Sequence, residues 1–98
     1  DLLKEGKMGC KKGGIHNFTR QCASIYGKNN IRVNTLVLGG VKDSKMNSKF
    51  IAKYSKKTPL GRMCKVSEVS GSVIFLLSNA SNYMTGSELY LDGGYSII

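Results

Sequence analysis

The chain has 98 residues, 15 Lys+Arg against 6 Asp+Glu, and a formal net charge of +9. That length holds one small domain with a marginal core, and no apolar run reaches the roughly 18–20 residues of a membrane span. Three widely spaced cysteines (Cys10, Cys22 and Cys64) and a single histidine, His16, provide neither a disulfide framework nor a metal site, and they point to a reducing, cytoplasmic setting.

The first residue is Asp1, no signal-like segment follows it, and the chain reads as the tail of something longer. A helix comes first. Ile15, Phe18, Thr19, Cys22, Ala23 and Tyr26 recur at helical spacing, which predicts one buried face. Gly27 suits the left-handed position that ends it. Gly13 and Gly14 weaken its early turns, so close packing against another backbone is expected there. After the polar Lys28-Asn29-Asn30, Ile31–Leu38 predicts a strand, apolar on both faces in its second half, as in parallel sheets. Gly39-Gly40 stops it.

Val41–Thr58 is rich in lysine, with a short helical stripe of Met46, Phe50, Ile51 and Tyr54. Pro59-Leu60-Gly61 breaks it. Ser67 is the expected N-cap of the next helix, with Glu68 beside the positive helix end. Val69, Val73, Leu76 and Leu77 predict its buried stripe, and Ser78 to Asn82 its end. A last strand runs over Ser87–Asp92, before Gly93-Gly94 turns the chain. Two strands joined by a long helical crossover are expected to lie parallel with a right-handed connection.

All fifteen basic residues lie in the stretch that ends at Lys65, opposed there by Asp1, Glu5 and Asp43. Such asymmetry raises a nucleic-acid reading. The lysines are not interleaved with stacking aromatics, however, and no nucleic-acid motif is present, so neither a nucleic-acid nor a membrane partner is expected.

The order of motifs is more specific. Lys12-Gly13-Gly14-Ile15 opens a helix and Asn30-Ile31-Arg32-Val33-Asn34 follows. Then come Gly39-Gly40-Val41, Thr58-Pro59-Leu60-Gly61-Arg62, Thr85-Gly86 and Asp92-Gly93-Gly94. From about Lys7 to Ile97 this resembles the C-terminal part of the short-chain dehydrogenase/reductase family. The resemblance implies an α/β fold. Residues 1–98 would form the C-terminal portion of a Rossmann-type doubly wound parallel sheet, helix-strand-helices-strand with one βαβ crossover. The nucleotide-binding N-terminal half would be absent.

The implied activity is hydride transfer between the nicotinamide of NAD or NADP and a small alcohol or carbonyl substrate, such as a sugar or nucleotide-sugar. The family uses a tyrosine and a lysine four residues later. One helix face carries both, and the ammonium favours phenolate, so the tyrosine can exchange a proton with substrate. Lys12 stands at the lysine position, where the family also holds the nicotinamide ribose. Met8 stands at the tyrosine position, and a thioether has no proton to give.

Gly39, Gly40 and Val41 match the loop whose backbone meets the nicotinamide carboxamide, with Leu38 where proline is usual. Asp43 stands where threonine is common, next to the cofactor phosphates. Cys64 and Val66 replace a frequent glycine and proline. Lysines 42–57 match the variable substrate segment, either as a solvated lid or as an attractor of anionic substrate. The resemblance thus implies an oxidoreductase fragment, inactive and weak in cofactor binding by itself. Its expected partners are copies of itself in a homo-oligomer or the missing N-terminal half. The alternative is an interaction remnant without catalysis.

Overall fold

The computed structural model describes the backbone of residues 2–97 and the side chains of residues 14–97. In chain order the elements are α1 (Leu2–Tyr26), a 3-10 turn (Gly27–Asn29), β1 (Thr35–Leu38), α2 (Ser48–Ser55) and α3 (Val66–Leu77). A second 3-10 turn (Asn79–Ser81), β2 (Glu88–Leu91) and a third turn (Tyr95–Ile97) complete the chain. β1 and β2 pair as a two-stranded sheet. The Thr35 N–H donates to the Ser87 carbonyl (2.8 Å) and the Gly39 N–H to the Leu91 carbonyl (3.0 Å). Both partners advance together, so the pair is parallel and α2 and α3 form its crossover. No helix among the described residues is long and apolar enough to cross a membrane.

The chain divides into two compact units: residues up to Thr35 with Asn82–Leu89, and Leu36–Ser81 with the residues from Tyr90. In the first unit, α1 buries Thr19 and Ala23. The Thr35 hydroxyl donates to that of Thr19 (2.8 Å). His16 Nδ1 lies 2.8 Å from Glu88 Oε1, off the axis a hydrogen bond needs. These contacts set the helix phase through His16, Thr19 and Ala23. The helical period is as expected, but Ile15, Phe18 and Tyr26 of the expected face are exposed. Among the described residues no group lies within 4 Å of a Cβ on Gly14, and the close packing expected at Gly13 lies outside them.

The helix end also differs from expectation. Gly27 opens the 3-10 turn, and Asn30 is the left-handed residue, at φ 62°. Asparagine tolerates that region better than most side chains. β1 is shorter than the expected 31–38. Residues 31–34 are tied by a mixture of side-chain and backbone bonds that forms no regular ladder. Asn34 Nδ2 and Arg32 Nη1 donate to the Met84 carbonyl (3.0 and 3.3 Å), and the Val33 N–H donates to Thr85 Oγ1 (3.2 Å). The Ser87 N–H donates to Asn34 Oδ1 (3.1 Å), and the Gly86 N–H to the Val33 carbonyl (2.7 Å). β2 likewise begins one residue late, at Glu88, because the Ser87 amide is taken by Asn34.

In the second unit, Asn47 caps α2 by accepting from the Phe50 N–H (2.8 Å). The N-cap of α3 is Lys65, not Ser67. The Glu68 carboxylate accepts from the Lys65 N–H (2.9 Å), which draws the helix start back and places Ser67 in the first turn. At the other end the fully buried Ser81 hydroxyl lies within hydrogen-bond distance of the carbonyls of Phe75 (2.8 Å) and Leu76 (3.0 Å). The stripe expected to be buried on α3 is not: Leu77 is 80% exposed and Val73 is exposed too. The described residues supply no layer over it.

Met63 and Ala23 are the buried apolar residues among those described, a core as slight as the length predicts. The Leu60 N–H donates to the Gly93 carbonyl (3.1 Å). Gly94 sits at φ +92°, and a Cβ there would lie 2.7 Å from the Pro59 ring. Only glycine meets both conditions.

Candidate functional site

The loop that follows β1 is the centre of the second unit. A Cβ on Gly39 would lie 2.9 Å from both Cα and Cβ of Asp92. A Cβ on Gly40 would lie 2.5–2.9 Å from the ring and hydroxyl of Tyr54. The clearance the two glycines provide is therefore used by the protein itself. The Gly40 N–H donates to Tyr54 Oη (2.6 Å). The Tyr54 ring stacks on Tyr95 at 5.6 Å between centroids, 11° from parallel, and meets Phe50 at 6.3 Å.

Beyond the glycines, Val41 and Cys64 form a parallel bridge. The Cys64 N–H donates to the Gly40 carbonyl (2.9 Å) and the Lys42 N–H to the Cys64 carbonyl (2.8 Å). In such a bridge Cys64 supplies both of its backbone groups and Val41 neither. The Val41 amide thus points away from Cys64, while its neighbours are taken, that of Gly40 by Tyr54 and that of Lys42 by Cys64. Asp43 is exposed and folds back on its own turn: its Oδ1 accepts from the Lys45 N–H (3.1 Å), in an Asx-type turn.

A small cavity of about 60 Å³ lies beside the loop, lined by Gly40, Tyr54, Arg62, Cys64, Glu68 and Asp92 among others. Arg62 donates twice to the Glu68 carboxylate (2.7 and 2.8 Å). Those bonds, with the Lys65 N–H, hold the Glu68 carboxyl at about 2, and Glu68 in turn raises the guanidinium. Burial and then the Glu68 charge push the Cys64 thiol up. In the neutral range the Glu68 carboxylate is thus ionised and the Cys64 thiol is biased to its protonated form.

α1 carries Met8 and Lys12 four residues apart on one helix; their side chains lie outside the described residues, as does that of Cys10. The structure thus gathers Gly39, Gly40, Val41 and Asp43 in one loop. Sequence reasoning missed two groups of residues. One is the hold of Tyr54 on Gly40, whose signal was the Phe50–Tyr54 spacing facing a glycine pair. The other is in the first unit, where Arg20 Nε donates to His16 Nε2 (2.8 Å) and Glu88 lies on the ring's other side.

A family model described as enoyl-(acyl carrier protein) reductase matches residues 3–96. A chloroplastic tropinone reductase homolog of Arabidopsis thaliana is 40% identical over 91 residues, covering 88% of this chain and 28% of the relative. The oxidoreductase YxbG of Bacillus subtilis is 36% identical over 105 residues, covering 96% of this chain and 38% of the relative. Among solved structures, a short chain dehydrogenase from Leptospira borgpetersenii with bound NAD+ superposes with a TM-score of 0.80 at 42% identity, over 90% of this chain and 34% of that one. The chain spans about a third of the length of these relatives.

Proposed function

Because the chain belongs to the short-chain dehydrogenase/reductase family, whose cofactor is NAD(P), we propose that it is the nicotinamide-loop and substrate-segment part of such an oxidoreductase, without catalysis as this chain alone. One observation carries this. The Gly39–Val41 loop is fixed by Tyr54, Asp92 and Cys64, while the Val41 amide is left out of the bridge. A rigid loop with an outward N–H fits the carboxamide of a nicotinamide.

When bound, NAD(P) supplies hydride exchange. The chain's own residues would do the following. The Val41 N–H would donate to the carboxamide. Lys12 holds the nicotinamide ribose. Asp43 keeps its carboxylate in its own turn and shapes the loop. At the position of the family's proton donor stands Met8, which has no proton to give. Glu68 is locked by Arg62 and cannot replace it. The substrate is a small alcohol or carbonyl compound, and the setting is cytoplasmic, in keeping with the free thiols of Cys22 and Cys64.

A second reading is favoured by the uncovered apolar faces. Phe18 on α1 is 67% exposed, and Ile74 and Leu77 on α3 are 66% and 80% exposed. Patches of this kind mark interaction surfaces. They support association with a second copy or with a complementary Rossmann half, and gel filtration reads this as a species larger than 10.7 kDa.

Fluorescence titration with NADH tests the main reading. The chain alone is expected to bind with a Kd on the order of 1 mM or weaker and to leave NADH unoxidised in the presence of carbonyl compounds. Micromolar binding, or steady oxidation of NADH, would overturn it.

A further inference from the structure

The lysine-rich segment, which the resemblance reads as the substrate segment, contains a recess whose lining narrows the class of anion it would take. Phe50, Lys53, Tyr54 and Lys57 line an open cavity of about 200 Å³ along and just beyond α2. Its residues alternate by kind at helical spacing. Phe50 and Tyr54 are four apart and in ring contact; Lys53 and Lys57 are four apart beside them. Two aromatic residues and two lysines therefore line the recess. Tyr54 is held in place by its hydroxyl on the Gly40 N–H and by its ring on Tyr95, so little ordering cost remains for a ligand.

The surrounding charge favours an anion. The second unit carries eight basic side chains against Asp43, Glu68 and Asp92. Glu68 is paired with Arg62, Asp43 accepts within its own turn, and Asp92 accepts from the Gly94 and Ser96 N–H groups (3.0 and 3.2 Å). Two lysines act as point charges suited to a dianion, whereas a lone carboxylate is better served by the fork of an arginine.

We propose that the recess of Phe50, Lys53, Tyr54 and Lys57 binds the phosphate group of a small organic phosphate, with the apolar or planar body of that molecule lying against the two rings. Tyr54 links this recess to Gly40. That the bound phosphate is the oxidoreductase substrate rests on the reading of Gly39–Val41 given above.

The test uses the full chain, labelled with ¹⁵N and titrated with phenyl phosphate, phenol, inorganic phosphate and, separately, NADH. Phenyl phosphate is expected to shift the amides of α2 and Lys57 and the Tyr54 ring, and to bind more tightly than phenol or inorganic phosphate. Raising salt from about 0.05 to about 0.5 M should weaken it. The double variant Lys53→Ala/Lys57→Ala, in which alanine keeps the helix propensity high, should weaken it about tenfold or more. Lys53→Gln/Lys57→Gln should do the same, and Lys49→Ala/Lys56→Ala should leave it unchanged.

Equal weakening by both alanine pairs would mean a diffuse basic surface and would overturn the proposal. So would shifts confined to other segments, or phenol binding as well as phenyl phosphate. The NADH arm is read at the Val41 amide, which the lysine variants leave in place. Loss of that response alone counts against the nicotinamide reading, and loss of the phenyl phosphate response alone counts against the recess.

Discussion

The two units are built by opposite devices. The first is joined by polar side chains reaching across the sequence: Asn34 and Arg32 to Met84, Thr85 to Val33, Thr35 to Thr19. The second is joined by missing side chains, with Gly39 against Asp92, Gly40 against Tyr54 and Gly94 against Pro59. Each device explains a motif. Asn30-Ile31-Arg32-Val33-Asn34 and Thr85-Gly86 are the two halves of one hydrogen-bonded tie. Pro59 with Leu60, and Asp92-Gly93-Gly94, are the two halves of one close contact. The Gly39–Val41 loop belongs to the second kind, in which close approach depends on the absence of a Cβ.

The largest expected effect is on the second unit. Gly94→Ala meets both a positive φ and the Pro59 ring, and should destabilise that unit by about 3 kcal/mol. Hydrogen exchange at the Leu60 amide should report it, with the Gly86 amide much less affected. Equal loss at both would break the contrast between the units.

Asn34→Ala removes two hydrogen bonds that join the ends of the first unit, at a cost of about 2 kcal/mol. Faster exchange of the Ser87 amide, with Leu60 spared, is the expected pattern. Tyr54→Phe keeps both ring contacts and strips the partner from the Gly40 N–H, a loss of about 1 kcal/mol. The Gly40 amide should then exchange faster while Tyr95 stays stacked.

The smallest effect is electrostatic and exposed. The Glu68 carboxyl sits at about 2 in the folded chain against an ordinary 4.5. Its folded value is depressed, so the contribution of the Arg62 pair is complete above about 4.5 and fades as pH falls toward about 2. Acid unfolding curves of the chain and of Glu68→Gln should differ in slope only within that window, and less so in high salt.

Much of this was legible in the sequence. The order of helix, strand, helices and strand follows from periodicity and breakers, and the parallel pairing follows from the length of the crossover. That a turn follows β1 was legible from Gly39-Gly40; that Gly39, Gly40, Val41 and Asp43 would face a cofactor came only from the family resemblance. Periodicity does not tell which partner a polar group chooses. Asn34 and Thr85 divert the ladder and shorten β1. Glu68 reaches back to Lys65 and moves a helix start. Asn30 takes the left-handed position that composition assigns to Gly27. The α3 stripe is amphipathic in pattern, yet the described residues do not cover it. Tyr54 looked like one residue of a lid stripe because its partner, an N–H on a glycine, leaves no mark on its own neighbours.

The central claim is that the second unit presents a cofactor loop, with Val41 as the outward donor. It is tested most directly by ¹H–¹⁵N spectra of the chain during titration with NADH to millimolar concentration. The account predicts progressive shifts at the Val41 amide, with the Gly40 and Lys42 amides, held by Tyr54 and Cys64, moving less. Shifts spread over the lysines of α2 with Val41 unmoved would contradict it.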